Sequence, residues 1–397
     1  MNLIAFDDPL LVEELYPFTL TRPISEIRVG MLTLTEKWEK YLGAKASFLT
    51  RPYLSEKYPL RSTPDNLLVN GAVCPTAQLA QAIADLKENH ALLKEGILIA
   101  ARSNKALLPT SGFQEIEYEG NVTRIDQVWK IFYHNGAEIR SDFELVTKGR
   151  LSCPVIDPHT VVYEAEQIFL EEGVEMKAAI LNAESGPIYL GKNAQVQEGA
   201  IIRGPFALGE GAQVNMGAKI RGDTTIGPYA KVGGEVSNAV IFGYSNKSHD
   251  GFLGNSVIGE WCNLGADTNT SNLKNNYEHV KIWNYAKGGF KDTGLQFCGL
   301  MMGDHSKCGI NTMFNTGTVV GVGSNIFGDG FPRTFIPSFA WGGAAGFTTF
   351  QVAKMLETAT RAMARKGKSM DEKDQSILRA VFQMTHQNRV WEKPVPQ

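Results

Sequence analysis

The chain has 397 residues, 43% of them apolar and 20% charged, with a formal net charge of −3. That length predicts two domains rather than one core, and the charge balance excludes the basic excess that a nucleic-acid partner demands. No apolar run approaches the ~18 residues of a membrane span, so no membrane partner is expected. The five cysteines (Cys74, Cys153, Cys262, Cys298, Cys308) show no CxxC spacing and are expected as buried thiols of a reduced, cytoplasmic protein. MNLIAFDDPLL lacks a basic n-region, so a signal peptide is not expected.

In residues 1–152, MNLIAF and DNLLVNGAV read as buried strands, while EKWEKYL and TAQLAQAIADLKENHALL read as helices. Strands alternating with helices predict a doubly wound α/β layer. The boundary is placed near CPVIDPHTVV, residues 153–162.

Beyond it the chain repeats every six residues. Leu190, Val196, Ile202, Leu208, Val214, Ile220, Ile226 and Val232 form one unbroken register. An earlier run reads Val162, Ile168, Val174, Ile180, and a later one Met302, Cys308, Phe314, Val320, Ile326. Small residues such as Ala194, Ala200 and Ala212 follow four positions after an anchor. A period of six matches neither a helix nor a simple strand. It predicts a parallel β-helix in which stacked coils bury one continuous core.

Two interruptions are expected as extruded loops, 233–257 with SNKSHDGFLG and 265–301 with NLKNNYEHVKIWNYAKGGFKDTG. Loops carried on a rigid scaffold are where binding residues collect. After Ile326, FGDGFPRTFIPSFAWGG reads as an irregular cap. Val352, Met355, Ala359 and Met363 then keep helical spacing, Gly367 is a stop, and DEKDQSILRAVFQMTHQ is a second helix entered at Ser369 or Asp371. The expected domains are 1–152, 153–335 for the solenoid, and 336–397 for the cap and helices, packed on the solenoid's open end.

The hexads beside the α/β half, with LYPFTLTRPISEIRVG and GEWCNLGADTNTSNLKNNY, resemble a two-domain bacterial family over nearly the whole chain. That family joins a sugar-1-phosphate nucleotidylyltransferase to a left-handed β-helix acyltransferase. The likeness is to its UDP-N-acetylglucosamine diphosphorylase/glucosamine-1-phosphate N-acetyltransferase branch. The resemblance implies a Rossmann-like, nucleotidyltransferase-like N-terminal domain and a left-handed β-helix that acetylates an amino-sugar 1-phosphate from acetyl-CoA. It also implies a homotrimer and a role in sugar-nucleotide biosynthesis for the cell envelope.

SHDGFLGNSVIGEWCNLGADTNTSN aligns His249 with the family's general base and Asn272 with its positioning amide. Proton removal from the attacking amine is the chemistry that needs such a base. Lys281 falls at the phosphate-side lysine. Phe252 stands where the family has Tyr, and VGGEV (232–236) where it has a phosphate-gripping Arg, a charge that Lys231 or Lys247 would replace. Asp250 is expected to hold the turn, and His305 in GDHSKCGI to be an outward residue of a regular coil.

The N-terminal half departs further. IAFDDPLLVEELYPFTLTRP has no glycine-rich phosphate loop, and Ala72 replaces the metal-binding Asp. Arg22, Arg28 and Lys37 are the candidate phosphate ligands, and Asn135 the candidate Mg²⁺-side residue, with Asp7, Asp8 or Asp142 as substitutes. Two alternatives stand beside acetyl transfer. One is nucleotidylyl transfer from UTP or dTTP to a sugar 1-phosphate, with the β-helix mainly an oligomerisation module. The other is a non-catalytic regulatory or scaffold protein.

Overall fold

The computed structural model describes residues 2–108 and 112–392. The chain forms two compact units: Met1–Leu15, Thr21–Arg28 and Leu32–Gln127 make one, and Tyr16–Leu20, Val29–Met31 and Val128–Gln397 the other.

The first unit is a six-stranded sheet. Its strand order is Ala46–Leu49, Asn2–Phe6, Asn66–Asn70, Ile97–Ser103, His90–Lys94, Gln114–Glu117. The first three strands are parallel, as expected for apolar runs covered on both faces. Helix α1 (Leu34–Leu42) starts at a capping box between Thr33 and Glu36 and stops at Gly43, whose φ is +64°. Helix α2 (Ala77–Ala84) is capped by Thr76.

Two expectations change here. ENHALL is not helical: Ala84 ends α2, and His90–Lys94 pairs antiparallel with Ile97–Ser103. Glu95 and Gly96 both have positive φ (52° and 77°), the tight hairpin turn whose twist matches the flanking strands. The two helices also share one face rather than winding both. Trp38 of α1 and Leu79 and Ile83 of α2 pack with Leu3, Ala5, Leu67 and Val69, while Ile4, Phe6 and Leu68 face a smaller cluster with Ala106.

The second unit is the parallel β-helix. Three apolar stacks run through it, one per wall. One climbs Leu170, Leu190, Leu208, Ile226, Ile241, Ile258, Met302, Val320, Ile336. A second passes Val162, Leu181, Ile202, Ile220, Val236 and Leu253. From Leu181 upward, these rungs are at most 2% exposed in both stacks. The early hexad run keeps Val162 and Ile168 at the core, but Leu181 rather than Ile180 fills it, and Met176 rather than Val174 lies opposite Val196. Four of the cysteines are buried, but Cys153 is exposed.

The two interruptions differ in kind. Residues 265–301 project in part: Asn269–Thr270 stays in the wall beside Met313–Phe314, and Lys281–Asn284 with Gly289–Asp292 forms an antiparallel hairpin. Residues 233–257 do not: they are coils. Glu235–Ile241, Asn246–Lys247 and Phe252–Ile258 continue the three walls. Eighteen residues separate Val196 from Val214 and Val214 from Val232, but only fifteen separate Val232 from its upward neighbour Lys247. Shortening, not extrusion, broke the rhythm.

The segment expected as an irregular cap also continues the solenoid. Phe335–Ile336 pairs with Val319–Val320, and Ala340–Gly343 with Asn325–Ile326. Helices α4 (Val352–Ala364) and α5 (Glu372–Met384, capped by Asp371) follow. They do not sit on an open end. Met355 of α4 packs against Gly323, and Lys366, just past α4, bonds the carbonyl of Tyr229, so the α4 segment runs along the side of the stack.

Helix α3 (Lys130–Thr147) belongs to this unit and contains an Asn135–Gly136 pair that reads as a turn. Gly136 is needed because a Cβ there would collide with the Asp223 carboxylate. Asn135, wholly buried, accepts the Gly30 N–H at 2.7 Å and donates to the Asp223 carbonyl (2.9 Å) and the Thr225 hydroxyl (3.0 Å).

Candidate active site

The shortened, fifteen-residue coil carries SNKSHDG beside a cavity of about 790 Å³. Its walls carry His249, Lys231, Lys307, Arg365 and Lys366, with Tyr244 and Trp261. The His249 imidazole is exposed at this wall. The cations crowd one another: burial, then Lys231 and Arg365, push the Lys366 ammonium below its usual range. Burial does the same to Lys307. Repulsion of this kind at Lys366 is relieved by a nearby negative charge, so the wall is suited to an anion.

One edge of the cavity is an aromatic ladder. Tyr229, Tyr244, Trp261 and His305 each follow a rung by three positions and each have positive φ, between 57° and 65°. Consecutive rings stack with centroids 5.3, 4.2 and 6.4 Å apart and planes within 12° of parallel. Lys368 adds its ammonium 6.0 Å from the Tyr244 ring centre.

The expected site residues fall into three places. His249 and Lys231 line the cationic cavity. Asn272 and Lys281 do not. The Asn272 amide donates to Asn255 Oδ1 at 2.8 Å and crosses the Phe252 ring above Gly254, where any Cβ would strike both. Lys281 is exposed at the hairpin, opposite Asp292. A separate cleft of about 500 Å³ lies at the hairpin's base, lined by Ser271, Lys274, Asn275, Asn276, Asn315 and Thr316 among others. Lys247 is in neither place. It is 3% exposed and points inward, its ammonium donating to the carbonyls of Gly233 (3.0 Å) and His249 (2.6 Å). Asp250 holds the turn through its carbonyl, which accepts the Asp267 N–H at 3.1 Å.

The phosphate candidates of the first half are not gathered on a surface. Lys37 is 1% and Arg22 5% exposed, and Arg28 lies 3.5 Å from Glu36. Asn135 is a structural clamp: its amide is used by Gly30, Asp223 and Thr225, so it does not serve a metal. Asp142 accepts the Met31 N–H, and Asp7 accepts Ile24 N–H and the Thr50 hydroxyl with Arg51 at 3.4 Å. Among the described residues no three His, Cys, Asp or Glu side chains group as a metal site.

Sequence reasoning missed Lys307, Arg365, Lys366, Tyr244 and Trp261. The ladder was legible as an aromatic three places after successive rungs; the α4 cations had no periodic signal to link them to the solenoid. Among the described residues no helix is long and apolar enough to cross a membrane.

Comparison with known proteins finds similarity over parts of the chain. Residues 3–151 match the family described as sugar nucleotidyl transferase. The bifunctional protein GlmU of Methanocaldococcus jannaschii is 34% identical over 87 residues, 22% of this chain and 21% of the relative. A bifunctional sugar-1-phosphate nucleotidylyltransferase/acetyltransferase of Sulfurisphaera tokodaii is 33% identical over 93 residues, 23% of each chain. The chain thus spans less than a quarter of the length of these curated relatives. Among solved structures, an Arabidopsis UDP-N-acetylglucosamine acyltransferase aligns over 54% of this chain and 77% of its own, at 16% identity and a TM-score of 0.23. The Bacteroides fragilis enzyme of that name aligns over 61% and 87%, at 14% identity and a TM-score of 0.26. On sequence, residues 3–151 match the sugar nucleotidyl transferase family, and stretches of 87 and 93 residues are similar to the two bifunctional proteins.

Proposed function

We propose that the chain transfers an acetyl group from acetyl-CoA to the amine of an amino-sugar 1-phosphate. The observation that carries this reading is the cavity in which an exposed imidazole, His249, shares a wall with Lys231, Lys307, Arg365 and Lys366. Both substrates bring phosphate, and the cations answer it. The acceptor amine attacks the thioester carbonyl carbon; His249 takes the amine proton; the carbon–sulfur bond breaks and CoA leaves as the thiol once protonated. Cations that hold both partners turn the encounter into an oriented one. Asn272 and Lys281, set apart on the neighbouring coil and hairpin, are assigned to the acceptor's far side, at a seam with a second copy in a trimer.

The test is CoA release with glucosamine 1-phosphate and acetyl-CoA. His249→Ala is expected to lower kcat by at least ~100-fold, the usual contribution of a general base. Unchanged release in that variant would sink the assignment.

The family match of residues 3–151 supports a second reading, nucleotidylyl transfer to a sugar 1-phosphate. Pyrophosphate release from UTP or dTTP tests it, and its absence with either nucleotide would remove it.

A further inference from the structure

The third stack of the solenoid reads Met176, Val196, Val214, Val232, Lys247, and above it Leu264, Cys308 and Ile326. One rung in an otherwise apolar column is therefore an ammonium. Stability does not call for it, because an aliphatic side chain fills such a rung without the cost of burying charge. The surroundings are nevertheless cut to fit. Gly234 (φ +69°) is bare where a Cβ would come within 2.9 Å of the Lys247 nitrogen, and a Cβ at Gly233 would collide with the Ser248 carbonyl. The VGGEV glycines clear a path for the ammonium from the column to the wall.

At the wall it meets a segment whose three carbonyls are each tied by a different donor. Ser248 is held by the Asn215 amide (2.7 Å), His249 by Lys247 (2.6 Å), and Asp250 by the Asp267 N–H (3.1 Å). Only the middle tie is charge-assisted, hence the strongest and the only one that loss of a proton weakens. Burial lowers the Lys247 ammonium to about 8, opposed by the carboxylates of Asp250 and Asp267 and by the Cys308 thiol.

We propose that Lys247 is a positioning residue for His249, gripping the imidazole-bearing segment from inside the wall, and not a phosphate ligand. This rests on the reading of His249 as the base. The grip fixes the backbone from which the imidazole enters the cavity, and it weakens when Lys247 loses its proton and with it the charge assistance.

Histidine-selective ¹³C labelling tests it directly, with His249→Ala assigning one of the seven histidine signals. In the wild type, the His249 signal is expected to shift and broaden as pH rises through about 8. In Lys247→Met it is expected to be broad throughout, without that step; Lys247→Gln, which keeps a donor, is expected to fall between. Under the same conditions kcat for CoA release should fall roughly tenfold or more in Lys247→Met, with KM for the phosphorylated acceptor unchanged within about twofold, as loss of orientation predicts. A His249 signal that is identical in wild type and both folded variants would overturn the proposal. So would a raised KM at unaltered kcat, the mark of a phosphate ligand. If the wild type releases no CoA at all, the acyl-transfer reading fails, and the labelling comparison still decides the grip.

Discussion

Tyr244 and Trp261 stack with ring centres 4.2 Å apart and planes 7° from parallel, each on a residue whose backbone is left-handed. A left-handed non-glycine residue carries a conformational cost, so here the ring gain outweighs the backbone strain. Trp261→Ala removes the half-buried ring and keeps the strain, and is expected to cost about 1–2 kcal/mol, less than truncation of a fully buried aromatic. Trp261→Gly removes both and is expected to be the more stable of the two by up to ~1 kcal/mol. Urea unfolding of the pair gives the ordering; alanine as the milder change would mean that the left-handed corner carries no strain.

Buried Lys247 makes stability depend on pH with a definite sign. Its folded value lies near 8 against an ordinary 10.5, so between those values the unfolded chain holds the extra proton. Stability at this site therefore rises as pH climbs from about 8 to 10.5 and is lost as pH falls back through 8. The difference in unfolding free energy between wild type and Lys247→Met should follow that window, with the methionine variant the more stable at pH 7 by up to ~3 kcal/mol. A pH-independent difference would contradict the burial of the charge.

Asn135 supplies a third measurement. It accepts the Gly30 N–H and donates to two groups of the solenoid wall while fully buried. Asn135→Ala orphans all of them and is expected to destabilise by about 2–3 kcal/mol without a change in CoA release. Thermal unfolding beside the kinetic assay checks both halves; lost activity at full stability would show that this amide does more than clamp α3.

The cation group makes a prediction about affinity. Reversing charge with Arg365→Glu or Lys366→Glu is expected to raise KM for the phosphorylated substrates at least ~10-fold, with a smaller change in kcat. The wild-type KM should itself rise with added salt, as screened charges predict. A salt-independent KM would point to a substrate without phosphate in this cavity.

Much of the solenoid was legible because a wall position repeats: Leu190 to Val232 needed no more than counting, and all eight rungs are buried. Counting failed where register rather than composition decides. Ile180 and Leu181 are both apolar, and only pairing with Ile202 selects the second. The coils around 233–257 looked like a loop because a three-residue shortening and a lysine rung both break the hexad rule. His249 stood out as an imidazole in that break. Its cationic neighbours Arg365 and Lys366 were hidden more than a hundred residues away, on a segment that only tertiary packing brings alongside. Lys247 was expected to hold phosphate, but it points inward to the Gly233 and His249 carbonyls, a direction not written in any local pattern.

The fifteen-residue coil has one more consequence. In a stacked array each turn touches only the turn below and the turn above. An edit confined to one turn is therefore felt across two interfaces and nowhere else. The segment from Val232 to Leu264 behaves as a cartridge: the column beneath it, from Leu190, keeps its regular spacing, and the column above resumes at Cys308. Two neighbouring turns, of fifteen and seventeen residues against the regular eighteen, are trimmed here, and a different trim in the same turns would recast the wall without rebuilding the tower.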